Sequence, residues 1–162
     1  MIEVFSTPTT DRYFEDYTVG GTYVLGSFPM IEHEMIDFAS HYDPQMMHID
    51  RDLAAKGPFG EVIASGWHTV GLTMQLLVEH FLPHNGLAAP GIDELRWPRP
   101  VRPGDVLTVQ ATVQQARRSR TKPDRGLLHI LLEALNQNGE VVMSLKPMNL
   151  VRTRNPVAAP AR

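Results

Sequence analysis

Ser65-Gly66-Trp67-His68-Thr69-Val70-Gly71-Leu72-Thr73-Met74-Gln75-Leu76-Leu77-Val78-Glu79-His80-Phe81 is the stretch from which the fold is read. Ser65 suits the N-cap of a helix that runs to about Phe81. Val70, Leu72, Met74, Leu76, Leu77, Val78 and Phe81 fall on nearly every face of that helix. Such a helix needs other structure wrapped around it. His68, Gln75, Glu79 and His80 are too many polar groups for a membrane span. Pro83 to Gly86 ends the element.

Downstream, the pattern changes to strands. Residues 92–97 form a short one, and residues 99–105, Arg-Pro-Val-Arg-Pro-Gly-Asp, make a stiff connector. Leu107, Val109, Ala111 and Val113 alternate with polar residues, giving a strand with one wet face. A basic loop spans residues 117–125, and a strand apolar on both faces follows over 127–135. Asn136-Gln137-Asn138-Gly139 marks a hairpin turn, and residues 141–151 return. Pro147 in that last strand suggests an edge or a bulge.

Upstream, residues 1–12 read as a loose arm. Thr22 to Leu25 begin a strand, and residues 32–42 form a helix with acidic residues early. Pro44 disfavours the α conformation at Asp43, so the helix stops there. Asp50 caps a short helix through Ala55. The order predicts an α+β domain over residues 13–152, with a flexible tail over 153–162. The cheapest packing is a curved antiparallel sheet rolled around the buried helix. A flatter sheet with helices on one face is the competitor.

The chain has 162 residues, enough for one domain with a real core. Its net charge of −3 gives no basic field of the kind that draws nucleic acid. The absence of cysteine removes disulfides, thiolate metal sites and a cysteine nucleophile, and fits a cytoplasmic protein. Residues 1–11 lack the basic-then-apolar pattern of a signal peptide. There is no internal repeat.

The chemistry centres on Phe38-Ala39-Ser40-His41-Tyr42-Asp43-Pro44-Gln45-Met46-Met47-His48-Ile49-Asp50. Asp43 and His48 lie five positions apart across the turn that Pro44 forces. One of them can orient a water while the other takes or returns its proton. Met46, Met47 and Phe38 would supply an apolar wall. The bland alternative makes Asp43 a turn residue and His48 a satisfied buried polar group. At Ser65-Gly66 the helix start has unpaired N–H groups and a partial positive charge, and glycine lets a carbonyl oxygen approach them. That arrangement suits an oxyanion site, although Gly66 could equally serve only close packing. His41, Asp43, His48 and Asp50 offer metal-donor atoms, but their spacing matches no familiar ligand pattern, and no metal site is expected. Among the basic residues near residues 96–102 and 117–125, a few are expected to meet phosphates and the rest to be solvated.

Assembled in order, these residues resemble the MaoC-like acyl dehydratases, the (R)-specific enoyl-CoA hydratases. Phe38-Ala39, Asp43, His48-x-Asp50, Ala64-Ser65-Gly66 opening a long helix and Pro100-Val101-Arg102-Pro103-Gly104-Asp105 carry the resemblance. It implies a hot-dog fold, an antiparallel sheet around one long helix, assembled as a homodimer or higher homo-oligomer. It also implies that Asp43 and His48 activate water and that the Gly66 amide binds the thioester carbonyl. Gln45, Met46, Met47, Ser65 and Trp67 are then expected at the substrate site. The substrate would be an acyl-CoA or acyl-carrier thioester, with coenzyme A as part of the substrate and no other cofactor. Two departures stand out. Gln45 occupies the place of a frequent Asn. Trp67 replaces a frequent Met and would narrow or redirect the acyl pocket. The rivals are a hot-dog thioesterase, for which Glu79 is poorly placed, and a non-catalytic acyl-CoA-binding subunit.

Overall fold

A computed structural model describes residues 1–156. Strand β1 (Thr22–Pro29) leads to helix α1 (Glu32–Tyr42) and two short helices, α2 (Met46–Ile49) and α3 (Arg51–Lys56). The central helix α4 (Gly66–Leu76) continues through one wide π turn, Leu77–Phe81. Strands β2 (Ala88–Arg96), β3 (Val106–Arg118), β4 (Arg125–Leu135) and β5 (Val141–Arg152) follow. All five strands join one antiparallel sheet in the order β1-β3-β4-β5-β2. This is the hot-dog arrangement, with α4 held in the curl of the sheet against β1 and β5.

Alternation builds the core. Leu107, Val109, Ala111 and Val113 of β3 and Leu128, Ile130, Leu132 and Ala134 of β4 are fully buried on one face. They meet Leu77 and Phe81 of the central helix in the same cluster. Each large aliphatic side chain buried this way contributes about 1.5–3 kcal/mol before chain entropy is set against it. The register slips between Val24 and Gly26, where β1 bends past the helix. Gly26 takes φ +139° there, and a Cβ on it would sit 3.4 Å from Leu76.

Two expectations need correction. The central helix is not wrapped on every side: Trp67, Met74 and Val78 are exposed while His68, Thr69, Thr73, Leu77 and Phe81 are buried. A single curled sheet covers only one side of a helix, which leaves the other side open. Of the edge or bulge expected at Pro147, the structure has the irregularity: β5 is interior, and Pro147 pairs with Ile92 where the register of edge strand β2 shifts, so the missing N–H falls there.

The N-terminal arm is also not loose. Glu3 N–H donates to Thr22 O (2.8 Å), and Phe5 stacks on Tyr23 with ring centroids 4.1 Å apart. Arg12 is buried, and its guanidinium donates to His80 O (2.7 Å), Phe81 O (3.0 Å) and Thr7 O (2.7 Å). A cation is favoured there because the last carbonyls of a helix lack intrahelical partners. Of the predicted tail, Arg154 is tied to Asp16 (3.0 Å) and its N–H to Glu15 (2.9 Å). Residues 157–162 lie outside the described residues. No helix among the described residues is long and apolar enough to cross a membrane.

Arg12→Ala is expected to lower stability by roughly 1–3 kcal/mol, because the His80 and Thr7 carbonyls lose their side-chain donor and Phe81 O keeps only that of Tyr17. Urea denaturation measures this. A loss below about 0.5 kcal/mol, the range of an ordinary surface change, would show that the arm does not hold that helix end.

Candidate active site

The site is built where three segments meet. Helix α1 ends at Asp43, whose N–H still donates to Ala39 O (2.8 Å) while its ψ of 65° leaves the helix. Pro44 forces that exit. Helix α2 then presents His48, which is buried. The segment before α4 runs alongside: Ile63 N–H donates to Met47 O (3.2 Å) and Ala64 N–H to Val101 O (2.9 Å).

Asp43 and His48 converge. His48 Nε2 lies 3.4 Å from Asp43 Oδ2. His48 Nδ1 lies 2.7 Å from the Ile63 carbonyl oxygen, which can only accept, so this nitrogen carries the proton. With Nδ1 so engaged, a neutral ring would turn an unprotonated Nε2 toward the carboxylate, and a protonated one would pair with it. Ser65 donates its hydroxyl proton to Asp43 Oδ2 (2.7 Å), and Gln45 Nε2 donates to Oδ1 (2.8 Å). The hydrogen bond from Gln45, then that from Ser65, and the charge interaction with His48 hold the Asp43 carboxyl below the usual carboxylate range against its desolvation.

Ser65 also caps α4, accepting the Trp67 N–H at 3.3 Å. The Gly66 N–H, one turn-end donor of that helix, has no hydrogen-bond partner among the described residues. The identity of residue 66 has a packing cause. A Cβ there would collide with Cε2 of Trp97, and the Trp97 indole N–H donates to Gly66 O (3.2 Å).

Asp43, His48 and Gly66 open on one cavity of about 420 Å³, together with Gln45, Met47 and Trp67. Ser65 stands behind it, fully buried. Met46 is half exposed and does not line the cavity. Phe38 stacks on His68 (4.8 Å) beside a different groove. His41 binds Asp37 O, and Asp50 caps α3 by accepting the Leu53 N–H. Neither joins Asp43 and His48.

The basic clusters separate. Arg99 lines the cavity. Arg102 is engaged with Glu61 and Phe59 O, bracing the loop before α4. Residues 117–125 begin at the distal end of β3, roughly 40 Å along a strand of this length from its cavity-side start. Sequence reasoning missed Trp97, Phe59 and Ile63, whereas Arg99 belongs to the basic cluster from which phosphate contacts were expected. Only the position of Trp97 at the head of the stiff connector hinted at a fixed aromatic wall.

The sheet and its central helix define a hot-dog domain, with an acid–imidazole pair and a helix start on one cavity. The chain belongs to the family described as MaoC like domain, whose profile matches residues 9–130. It is similar to the crystal structure of the MaoC-like dehydratase from Rhodospirillum rubrum, with TM-score 0.83 and 38% identity over 89% of this chain and 99% of that one. It is 30% identical to YdeM of Bacillus subtilis over 76% of this chain and 86% of that protein. It is 35% identical to a 3-hydroxybutyryl-CoA dehydratase of Methylorubrum extorquens, over 64% of each. The family and these relatives point to hydro-lyase activity.

Gln45→Ala is expected to raise the Asp43 pKa toward the ordinary value of about 4. A depressed carboxylate stabilises the fold above its unfolded value, and that contribution is lost as pH falls through the folded one. The stability gap between wild type and variant should thus be full near neutrality and close on acidification. Carboxyl-resolved NMR titration checks it. An Asp43 that titrates identically in both proteins would refute the assigned hydrogen bond.

Proposed function

We propose that this protein is a cytoplasmic (R)-specific enoyl-CoA hydratase, or in reverse a 3-hydroxyacyl-thioester dehydratase. The observation that carries this is the shared cavity of Asp43, His48 and the Gly66 amide. A water between Asp43 Oδ2 and His48 Nε2 donates a hydrogen bond to each. Asp43, held as the carboxylate, is the weaker base and orients the water. His48 Nε2 takes the proton as the water oxygen bonds to the β-carbon of a trans-2-enoyl thioester. The electron pair moves through the double bond to the thioester oxygen, where the Gly66 N–H stabilises the enolate. His48 returns the proton to the α-carbon, and the carbonyl reforms. Atoms and charge balance, with side chains carrying the proton chemistry and coenzyme A belonging to the substrate.

The same reading includes a homodimer. β2 is an edge strand with half-exposed Ile92, and the open side of α4 presents Trp67, Met74 and Val78. An unpaired edge beside apolar side chains suits antiparallel pairing with a second copy about a two-fold axis.

Asp43→Asn and His48→Ala are each expected to lower crotonyl-CoA hydration by about 10²–10⁴-fold, followed by loss of enoyl absorbance. Wild-type rates in both variants would remove the pair from the mechanism. Sedimentation at micromolar concentration is expected to give a dimer or larger species. A monomer would refute the pairing through β2.

A further inference from the structure

The chain has two tryptophans, and both line the candidate cavity. Their rings meet edge to face, with centroids 5.5 Å apart. Trp97 is the one that closes against the helix start. Its ring leaves no room for even one added carbon on Gly66, so nothing passes between the indole and α4. The hydrogen bond from its N–H to Gly66 O fixes the ring's orientation. Pro98 and Pro100 follow it directly, and their locked φ values stiffen its base. On the neighbouring wall, Ile63, Ala64 and Val101 are buried, with Ala64 hydrogen-bonded to Val101. The cavity of about 420 Å³ must hold the thioester, the end of its carrier arm and the attacking water. Each further methylene needs about the room of a water molecule, about 30 Å³.

We propose that Trp97 is the specificity-determining residue of this site, a fixed indole wall that admits short enoyl chains and excludes long ones. The proposal rests on the hydratase reading above. Trp97 is 42% exposed, so shortening it opens the cavity without emptying the core. Trp97→Phe keeps an aromatic wall and loses only the N–H donor and part of the ring.

The test compares kcat/KM for crotonyl-, hexenoyl- and octenoyl-CoA in the full chain. Wild type is expected to fall steeply with length. Trp97→Ala is expected to raise the octenoyl-to-crotonyl ratio at least about tenfold, chiefly through KM, the scale on which a pocket discriminates methylenes. Trp97→Phe is expected to keep the wild-type order. A ratio within about twofold of wild type in folded Trp97→Ala, as checked by circular dichroism, would overturn the proposal and leave the hydratase reading standing. Absence of any wild-type turnover would overturn the hydratase reading instead. A binding measurement then decides the wall by itself. In Trp67→Phe the only indole left is Trp97, and its emission is expected to respond saturably to butyryl-CoA, with octanoyl-CoA binding more weakly. Tighter octanoyl-CoA binding, or an emission that ignores both, would overturn the proposal, also where Trp97→Ala fails to fold.

Discussion

One buried hydroxyl connects the fold to its chemistry. Ser65 accepts the Trp67 N–H at the start of the central helix and donates its only proton to Asp43. The first bond satisfies one of the orphan donors that every helix start exposes. The second places a carboxylate, delivered by a different helix, beside that same start. Because Ser65 is fully buried, water does not compete for either bond. Disturbing the cap therefore moves the acid as well as the helix.

The surroundings keep that hydroxyl in place. The Pro100 to Asp105 turn is a backbone brace: Arg102 N–H donates to Asp105 Oδ2 (2.8 Å), and Gly104 N–H to Met30 O (2.8 Å). Val101 in turn holds Ala64, one residue before Ser65. At the other end of the central helix, Arg12 fills the carbonyl terminus, and Tyr17 OH donates to Phe81 O (2.8 Å). The carbonyl end is thus satisfied by side chains distant in sequence, whereas the start is capped by its own neighbour Ser65. This division leaves the cavity end free to hold one unpaired amide.

Gly66 illustrates how one residue can have two explanations. Among the described residues its backbone donor has no partner, whatever its side chain would be, so the proposed chemistry would use the position while the indole needs the glycine. The close approach of Trp97 accounts for the missing Cβ by packing alone. The same ring lines the cavity, so the packing requirement and the proposed limit on chain length would share one cause.

Local signals in the sequence determined much of this protein. Alternation in residues 107–113, the Ser65 cap, the Pro44 stop and the Asn136 to Gly139 turn specify elements through short-range physics, and each stands where expected. The order of Asp43, His48 and Ser65-Gly66 marked the candidate site because those residue types can move a proton and bind an oxyanion. Tertiary structure alone decided the rest. The open side of the central helix depends on how much of it one curled sheet covers. The docked arm depends on carbonyls nearly 70 positions away from Arg12. Trp97 reaches Gly66 across 31 positions of chain, and Met46 and Phe38 turn from the cavity because of helix phase. Local propensity acts over a few residues, whereas the side chains that meet across a cavity are chosen by the path of the whole chain.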